Sequence, residues 1–275
     1  ALWGIAFNDD SHPKPSYLEP YIDRLIAQGW AIMLGCPAYW RAGGNDCVTG
    51  SEHKKLIEII KKCDAFIPWY VGRYGYDNFT NEDWQSRIKQ DIATAKGYSS
   101  DGHVVVYAEH IYPGGSDRNM HPNNGYPSGD ATQTGYRYGG KFYWSQFYHD
   151  IKAGVQAVYV GMFDEIDEGT AIFKQMTVSQ VPSNVPYNKN SVPSTYGYAT
   201  DDDYWVTYTT DGSYRMNSKE QTGDKVQWSR KASDLDIRFQ GIDDNLGTDW
   251  YLKLTGAGAQ MLRGEIKMTS TIPSL

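Results

Sequence analysis

Residues 157–173, AVYVGMFDEIDEGTAIF, join an apolar run to a cluster of acidic residues. The run 157–163 has the length and the β-branched and aromatic composition of a buried strand. Asp164, Glu165, Asp167 and Glu168 follow it directly, so four carboxylates stand where the strand ends. In folds built on parallel strands, functional residues gather at the carboxyl ends of the strands. This stretch therefore predicts a parallel sheet with a site at its carboxyl edge.

Four further apolar runs of strand length precede this stretch, and helix-like segments follow the runs. The predicted strands are LWGIAF (2–7), AIMLGC (31–36), AFIPWYV (65–71) and HVVVYA (103–108). Apolar residues recur at core spacing in the predicted helices 16–28, 51–63, 80–95, 139–154 and 249–264. Apolar strands that alternate with amphipathic helices are typical of a parallel sheet covered by helices, so the predicted fold class is α/β.

The residues that follow the strands distinguish a barrel from a doubly wound sheet. No Gly-rich phosphate loop follows any predicted strand, which argues against a dinucleotide-binding fold. Polar and aromatic residues follow the strands instead, at 8–10, 37–41, 69–74, 109–112 and 164–168. This is typical of the C-terminal face of a (β/α)8 TIM barrel. Five strand–helix units cannot close such a barrel, so about three N-terminal units are absent, contributed by another chain, or not visible in the pattern.

Residues 177–240 differ from the alternating pattern on either side. They are rich in Ser, Thr, Asn, Asp and Tyr, and 204–217 predict a β-hairpin that turns at Asp211 and Gly212. We interpret the segment as a β-rich insertion in the last strand-to-helix loop of a single partial barrel domain spanning 1–275. Within it, 201–203 could bind calcium or form a solvated acidic turn.

The charge and the composition exclude several classes of protein. The 275 residues include 26 Lys and Arg against 33 Asp and Glu, a net charge of −7, so the positive field that attracts nucleic acid is missing. The apolar runs are far shorter than the ~18 residues that a membrane helix requires, so we expect no membrane span. The 22 Tyr and 9 Trp often stand beside Gly, Asn and Asp, which suits sugar rings and also suits loop packing.

The spacing of cysteine and histidine predicts neither a metal site nor a cofactor. Cys36, Cys47 and Cys63 are not paired at short spacing with one another or with a His. Cys36 and Cys47 could close one loop in an oxidising compartment, or all three could be buried free thiols. The sequence starts at Ala1 without a signal-like segment, and we expect a secreted or periplasmic protein whose targeting peptide is not part of this sequence.

Two of the acids, Glu165 and Glu168, have the spacing of a catalytic pair. Three-residue spacing in a turn that enters a helix can place both side chains on one side. Glycoside hydrolysis needs two carboxyl groups in different protonation states, and crowded carboxylates in a partly desolvated cleft have pKa values that are pushed apart. The same acids would also suit a helix N-terminus, whose dipole favours negative charge, or a calcium site.

Several motifs together resemble the bacterial proteins grouped with glycoside hydrolase families 71 and 99. The resemblance runs in order over nearly the whole chain apart from 177–240 and is most specific at Met162–Phe173. It implies a (β/α)8 barrel of which this sequence supplies the later strands. The motifs are GCPAYWR (35–41), WYVGRY (69–74), YPG (112–114), GGKFYW (139–144), the stretch 157–173 and DWYLKLTG (249–256).

The resemblance also implies roles for the two glutamates. Family 99 contains endo-acting α-mannosidases with a Glu-x-x-Glu pair after a late strand, and Glu165 and Glu168 occupy those two positions. Glu168 would be the general acid/base, and Glu165 would assist the 2-hydroxyl of the substrate, a retaining mechanism. Asp164, Ile166 and 171–173 depart from the usual neighbours Asn, Trp and Gln-Ile-Glu. We therefore predict a hydrolase of an α-mannan-like or α-glucan-like polysaccharide or glycan.

Other residues after the strands are candidates for binding the substrate, and we expect the two glutamates to face the same cavity as Trp40, Trp69 and Tyr107. Two further functions fit the sequence: a carbohydrate-binding module, which needs the aromatic residues without the acids, and a structural assembly protein. Exposed sheet edges would then be covered by an N-terminal segment or another subunit. The predicted substrate-binding residues are Trp40, Trp69, Tyr107, Glu109, His110, Tyr112 and Arg73.

Overall fold

In the computed structural model, the protein comprises two compact units that together account for the residues described. The first unit is formed by Ala1–Pro113, Gly140–Met162 and Lys253–Leu275, and the second by Gly114–Gly139 and Phe163–Leu252. The prediction of one barrel domain with an insertion at 177–240 stays a prediction. The structure describes residues 1–76, 82–115, 137–165, 169–177, 180, 196–199, 204–208, 213–218, 226–231, 242 and 244–275.

A four-stranded parallel sheet forms the centre of the first unit. The strands pair in the order in which they occur in the chain, and Met33 pairs with Ala65, Phe66 with Tyr107, and Ala108 with Ala157. A parallel sheet with helices between its strands agrees with the predicted α/β fold and with a partial (β/α) barrel. The strands are β1 (Met33–Pro37), β2 (Ala65–Trp69), β3 (Val106–Ile111) and β4 (Ala157–Val160).

In the described part of the chain, five helices precede, alternate with or follow these strands, close to the predicted ranges. Pro15 occupies the first turn of α1, where its missing N–H costs nothing. Gly140 and Gly154, both with left-handed backbone, flank α4, and a left-handed glycine after the last turn, here Gly154, is a usual helix stop. The helices are α1 (Pro15–Ala27), α2 (Gly50–Lys62), α3 (Glu82–Lys96), α4 (Lys141–Ala153) and α5 (Trp250–Leu262).

The first predicted strand, 2–7, is reduced to two isolated bridges, a parallel one at Leu2 and an antiparallel one between Phe7 and Cys47. Leu2 pairs with Leu34 of β1, and its N–H and carbonyl bond to Met33 and Gly35. Gly4 and Ala6 have φ of 77° and 69°, which is incompatible with an extended strand. The bridge at Leu2 nevertheless places this segment at one edge of the sheet, with β4 at the other. Completion of the barrel by an N-terminal segment or another subunit stays a prediction.

Apolar residues from the strands and the helices form one core on the helix-covered face of the sheet. Leu34 and Phe66 from the strands pack with Leu56 and Ile59 from α2. Their spacing on α2 is the periodicity that predicted the helix, since residues three and four apart share a face. The three cysteines are fully buried and free rather than bridged.

An antiparallel sheet lies in the second unit, within the predicted β-rich insertion. Its strands pair in chain order, and β6 and β7 form the predicted hairpin, with Tyr204 opposite Ser218 and Tyr208 opposite Tyr214. The predicted turn at 211–212 and the acidic residues 201–203 lie outside the described residues. The strands are β5 (Tyr196–Ala199), β6 (Tyr204–Tyr208), β7 (Ser213–Ser218) and β8 (Val226–Lys231).

Among the described helices, none combines the length and the apolar character that a membrane-spanning segment needs.

Candidate active site

The acidic stretch that follows β4 forms a loop whose two ends are joined by backbone hydrogen bonds. We define this acidic loop as residues 163–173, of which 163–165 and 169–173 are described. The carbonyl of Phe163 accepts hydrogen bonds from the N–H groups of Ile172 (2.8 Å) and Phe173 (3.1 Å). The rings of Phe163 and Phe173 lie 6.0 Å apart. Both ends of the loop are therefore held together, and the acids lie between them.

A second closure lies inside the loop, at Glu165 itself. The Glu165 carbonyl accepts hydrogen bonds from the Thr170 N–H (3.1 Å) and the Thr170 hydroxyl (3.2 Å). Gly169, with φ of 67°, provides the left-handed backbone that turns the chain into this contact. The backbone of Glu165 is thus fixed, while the side chains of Asp164 and Glu165 are exposed. Glu168 lies outside the described residues.

The chain between β4 and the acidic loop has an unusual backbone. Met162 has φ of 66°, a conformation that costs a non-glycine residue about 1–3 kcal/mol. Gly161, just before it, lies against His110: a Cβ added at Gly161 would stand 2.3 Å from His110 Nε2. A glycine is therefore required where β4 ends, and strain is stored just before the acids.

Aromatic rings gather on the face of the sheet opposite the helices. Trp69 stacks on His110 with ring centroids 4.6 Å apart, and Trp3 meets the edge of Trp69 at 5.6 Å. Tyr159 contacts both Trp3 and His110. Trp69 and Tyr159 are half-buried and Trp3 is exposed. This aromatic group, Trp3, Trp69, His110 and Tyr159, offers apolar ring faces of the kind that sugars stack on.

His110 is held in one tautomer at the centre of this group. Its Nδ1 accepts a hydrogen bond from the Tyr70 N–H at 3.0 Å, so the ring proton resides on Nε2. Burial lowers the pKa of His110 to about 3, and the ring is neutral at physiological pH. Nε2 has no hydrogen-bond partner within the described part of the chain. His110 therefore serves as a neutral, packed ring rather than a cation.

Tyr107 and Glu109 point to the helix-covered face, since successive residues of a strand alternate. Both are buried, and the Tyr107 hydroxyl donates a short hydrogen bond to Glu109 Oε2. Burial raises the pKa of Glu109 to about 8, and the charge of Asp91 acts in the same direction. Glu109 is therefore a neutral acid inside the core near pH 7. Its role in substrate binding stays a prediction.

The remaining predicted binding residues are placed as follows. Trp40 is fully buried and packs on Phe66 at 4.8 Å, and its role in sugar stacking stays a prediction. Tyr112 is buried and donates its hydroxyl to the Tyr74 carbonyl at 2.5 Å. Arg73 keeps about a third of its surface exposed and pairs with Asp46 at 2.9 Å.

Comparisons with known proteins found similarity to solved structures alone. No protein-family model matches the chain, and no curated protein matches it. Two structures of the GH99 endo-α-mannosidase from Bacteroides thetaiotaomicron are similar at 16% sequence identity. The complex with bis-tris-propane gives a TM-score of 0.41 and matches 92% of this chain and 67% of that chain. The other structure gives a TM-score of 0.42 and matches 94% of this chain and 64% of that chain.

The chain is therefore similar to these two mannosidase structures at low sequence identity. It spans about two thirds of the length of the mannosidase that it matches.

Proposed function

We propose that the protein is a glycoside hydrolase that acts on an α-mannan-like or α-glucan-like glycan through Glu165 and Glu168. The observation that carries the proposal is the exposed carboxylate of Glu165 on a loop whose backbone is fixed on both sides. A catalytic carboxylate must reach the substrate and must also hold one geometry, because misplacement by about 1 Å can cost about 100-fold in rate. The exposed side chain and the fixed backbone of Glu165 support the proposal.

The two carboxyl groups have separate tasks in the proposed reaction. Glu168 donates its proton to the glycosidic oxygen as the bond to C1 breaks. Glu165 accepts the proton of the substrate 2-hydroxyl as that oxygen bonds to C1. Water then attacks C1 and gives a proton to Glu168 as the bond between C1 and the 2-oxygen breaks, and Glu165 returns its proton to the 2-oxygen. Two displacements at C1 give net retention, and both carboxyl groups regain their starting protonation.

Trp69 and Arg73 are the predicted binding residues that keep exposed surface, and we propose them for contacts with the glycan. The Trp69 ring can stack on the apolar face of a sugar. The Arg73 guanidinium, fixed by Asp46, has donors left for hydroxyl groups.

The first test is a panel of mannans, α-glucans, xylans and arabinans incubated with the protein, with products measured by mass spectrometry. We expect shortened chains from a mannan or an α-glucan. Retention of the anomeric configuration, followed by NMR during the first turnovers, is expected as well. The proposal fails if none of the glycans is shortened.

The second test separates the two acids by the leaving group. Glu168→Gln should lower turnover of a natural glycan by roughly 10²–10⁴, because its leaving oxygen needs a proton. A glycosyl fluoride of the same sugar needs no such proton in the first step, so kcat/KM of the variant on the fluoride should stay close to that of the parent, although its turnover falls because Glu168 also accepts the proton of water in the second step. Glu58→Gln, an exposed glutamate on α2, is the control and should match the parent on both substrates. Equal losses of kcat/KM in Glu168→Gln on both substrates would remove Glu168 from the acid role.

A carbohydrate-binding module is the second candidate, and the aromatic group favours it. Three of its members, Trp3, Trp69 and Tyr159, keep exposed ring surface. Binding to a glycan in the panel without any product, together with loss of binding in Trp69→Ala, would favour this function over the hydrolase.

A further inference from the structure

Arg137 lies just before α4 and reaches the acidic loop with both ends of its guanidinium. The side chain is buried, with 2% of its surface exposed. Nη1 donates to the carbonyl of Gly169 and Nη2 donates to the carbonyl of Ala171, both at 2.9 Å. A longer contact of 3.4 Å joins Nη1 to Gln175 Oε1. One residue therefore bonds two carbonyls of the loop that are two positions apart.

The guanidinium is itself held in place from two directions. It lies on the ring of Tyr251, 3.5 Å from the ring centroid. Tyr138 and Gly139, the next two residues of the chain, have φ of 51° and 63° and turn the backbone sharply after Arg137. Trp250 Nε1 donates to the Gly139 carbonyl at 3.0 Å, so the first turn of α5 fixes this turn as well. Arg137 is thus pre-ordered, which lowers the entropy lost when it binds the loop.

The two bonded carbonyls flank Thr170, the residue whose N–H and hydroxyl both bond to the Glu165 carbonyl. Holding Gly169 and Ala171 therefore holds Thr170, and Thr170 holds the backbone of Glu165. We propose that Arg137 is a positioning residue that fixes the acidic loop in the geometry needed for glycoside cleavage. The catalytic part of this inference rests on the proposed function, and the clamp itself does not.

Lysine cannot take over this task. Its ammonium is a single point charge, whereas the guanidinium is planar and presents parallel donors at a fixed spacing. Two carbonyls on either side of Thr170 match that spacing. Substitution by Lys should therefore keep the charge and lose one of the two anchors.

The clamp is tested by hydrogen exchange of the amides of Thr170 and Ile172, measured by NMR in the parent, Arg137→Lys and Arg137→Ala. Charge-assisted hydrogen bonds hold these turns closed, so Arg137→Ala should accelerate exchange at Thr170 on the order of 10- to 100-fold, and Arg137→Lys by less. Trp144→Phe is the matched control: it loses one buried bond, from Nε1 to the Thr269 carbonyl, far along the chain from the loop. If exchange at Thr170 rises no more in Arg137→Ala than in Trp144→Phe, the clamp is overturned.

The catalytic part is tested by kinetics on the best glycan of the panel. Arg137→Ala should lower kcat by about 10², with a smaller change in KM, because a misplaced acid harms the chemical step more than binding. Millimolar guanidinium should restore part of the lost kcat in Arg137→Ala and none in Trp144→Phe. Fast exchange at Thr170 with an unchanged kcat would overturn the positioning role. A parent without glycosidase activity would overturn the proposed function and this role with it, while the exchange data still decide the clamp.

Discussion

The acidic loop and the carboxyl groups beneath the parallel sheet are both dense in acids, yet they differ in access. Asp164 and Glu165 of the loop are exposed, whereas Asp91, Glu109 and Asp150 of the first unit have at most 1% of their surface exposed. A substrate can reach only the first group. A cluster of acids is therefore a candidate reactive site only where solvent and substrate can reach it.

The buried acids are held in contrasting ways. Asp91 bonds to Arg41 at 2.5 Å and to the Tyr70 hydroxyl at 3.0 Å, so its charge is compensated. Neither oxygen of Asp150 has a hydrogen-bond partner among the described residues, and burial raises the pKa of Asp150 well above its ordinary value. The first acid is ion-paired, whereas burial favours the neutral form of the second. We therefore expect both acids to affect the free energy of unfolding.

The largest contrast is expected from removing one acid of each region. Asp91→Ala leaves Arg41 and the buried Tyr70 hydroxyl without their partner, and we expect the free energy of unfolding to fall by about 3–5 kcal/mol. Asp164→Ala, in the exposed loop, should change it by less than about 0.5 kcal/mol. Urea unfolding followed by circular dichroism measures both. An equal loss of unfolding free energy in the two variants would contradict the distinction between buried structural acids and exposed loop acids.

A smaller effect is expected where β4 leaves the sheet. Gly161→Ala pushes a Cβ to 2.3 Å from His110 Nε2, and overpacking of this kind costs about 1–3 kcal/mol. Gly256→Ala is the control, because among the described residues no atom beyond the chain neighbours and the backbone of α5 itself lies within 4 Å of the added Cβ, and alanine favours the helix. Thermal unfolding should show a lower Tm for the first and an equal or higher Tm for the second. The reverse order would contradict this packing of His110.

The pH dependence of stability follows from the buried groups. The pKa of Glu109 is about 8 in the fold against an ordinary 4.5, so above pH 4.5 the folded protein retains a proton that the unfolded chain loses, and stability falls as pH rises towards 8. His110, with a pKa of about 3 against 6.5, acts in the opposite direction below pH 6.5. Glu109 should therefore lower the free energy of unfolding by roughly 1.4 kcal/mol per pH unit as the pH rises above 6.5 towards 8.

The matched variant for this window is Glu109→Gln, which cannot lose a proton. Its unfolding free energy should be flatter than that of the parent from pH 6.5 to 8, although the raised pKa of Asp150 acts in the same direction as Glu109. Parallel curves for the two proteins would mean that Glu109 does not titrate there.

The smallest change in stability is expected when reductant or a thiol reagent is added to the three cysteines. All three are buried and free, and burial raises the pKa of Cys47 and of Cys63 to about 12, so neither thiolate forms at neutral pH. The native protein should not react with a thiol reagent, and reductant should leave its Tm unchanged. Rapid labelling of the folded protein, or a Tm that drops on reduction, would contradict this state.

Much of the fold could be predicted from the sequence because apolar periodicity is a local property. The helix over 51–63 was predicted from Leu56, Ile59 and Ile60, and these residues are its buried face. The predicted strand over 2–7 is not formed, because Gly4 and Ala6 have positive φ. A glycine in the sequence indicates that positive φ is allowed, whereas an alanine does not. The length and the apolar content of a segment do not indicate the sign of φ at its residues.

Less of the candidate site could be predicted, because side-chain access is a tertiary property. Glu109 and His110 are neighbours in sequence, yet they point to opposite faces of β3 and only the packed sheet shows which face the helices cover. Arg137 was missed altogether, since it lies outside any periodic element and its partners are backbone carbonyls that leave no mark in the sequence. The one local hint was the pair Gly139–Gly140, which allows the sharp turn after it.

The most direct measurement of the central claim compares Glu165→Gln with Asp164→Asn on the best glycan of the panel. The two residues are neighbours in the acidic loop, both are exposed, and both substitutions remove one charge. We expect kcat to fall by roughly 10²–10⁴ in Glu165→Gln, with its Tm unchanged, and to stay near the parent value in Asp164→Asn. Equal kcat values in both variants and the parent would contradict the claim that the acidic loop performs the chemistry.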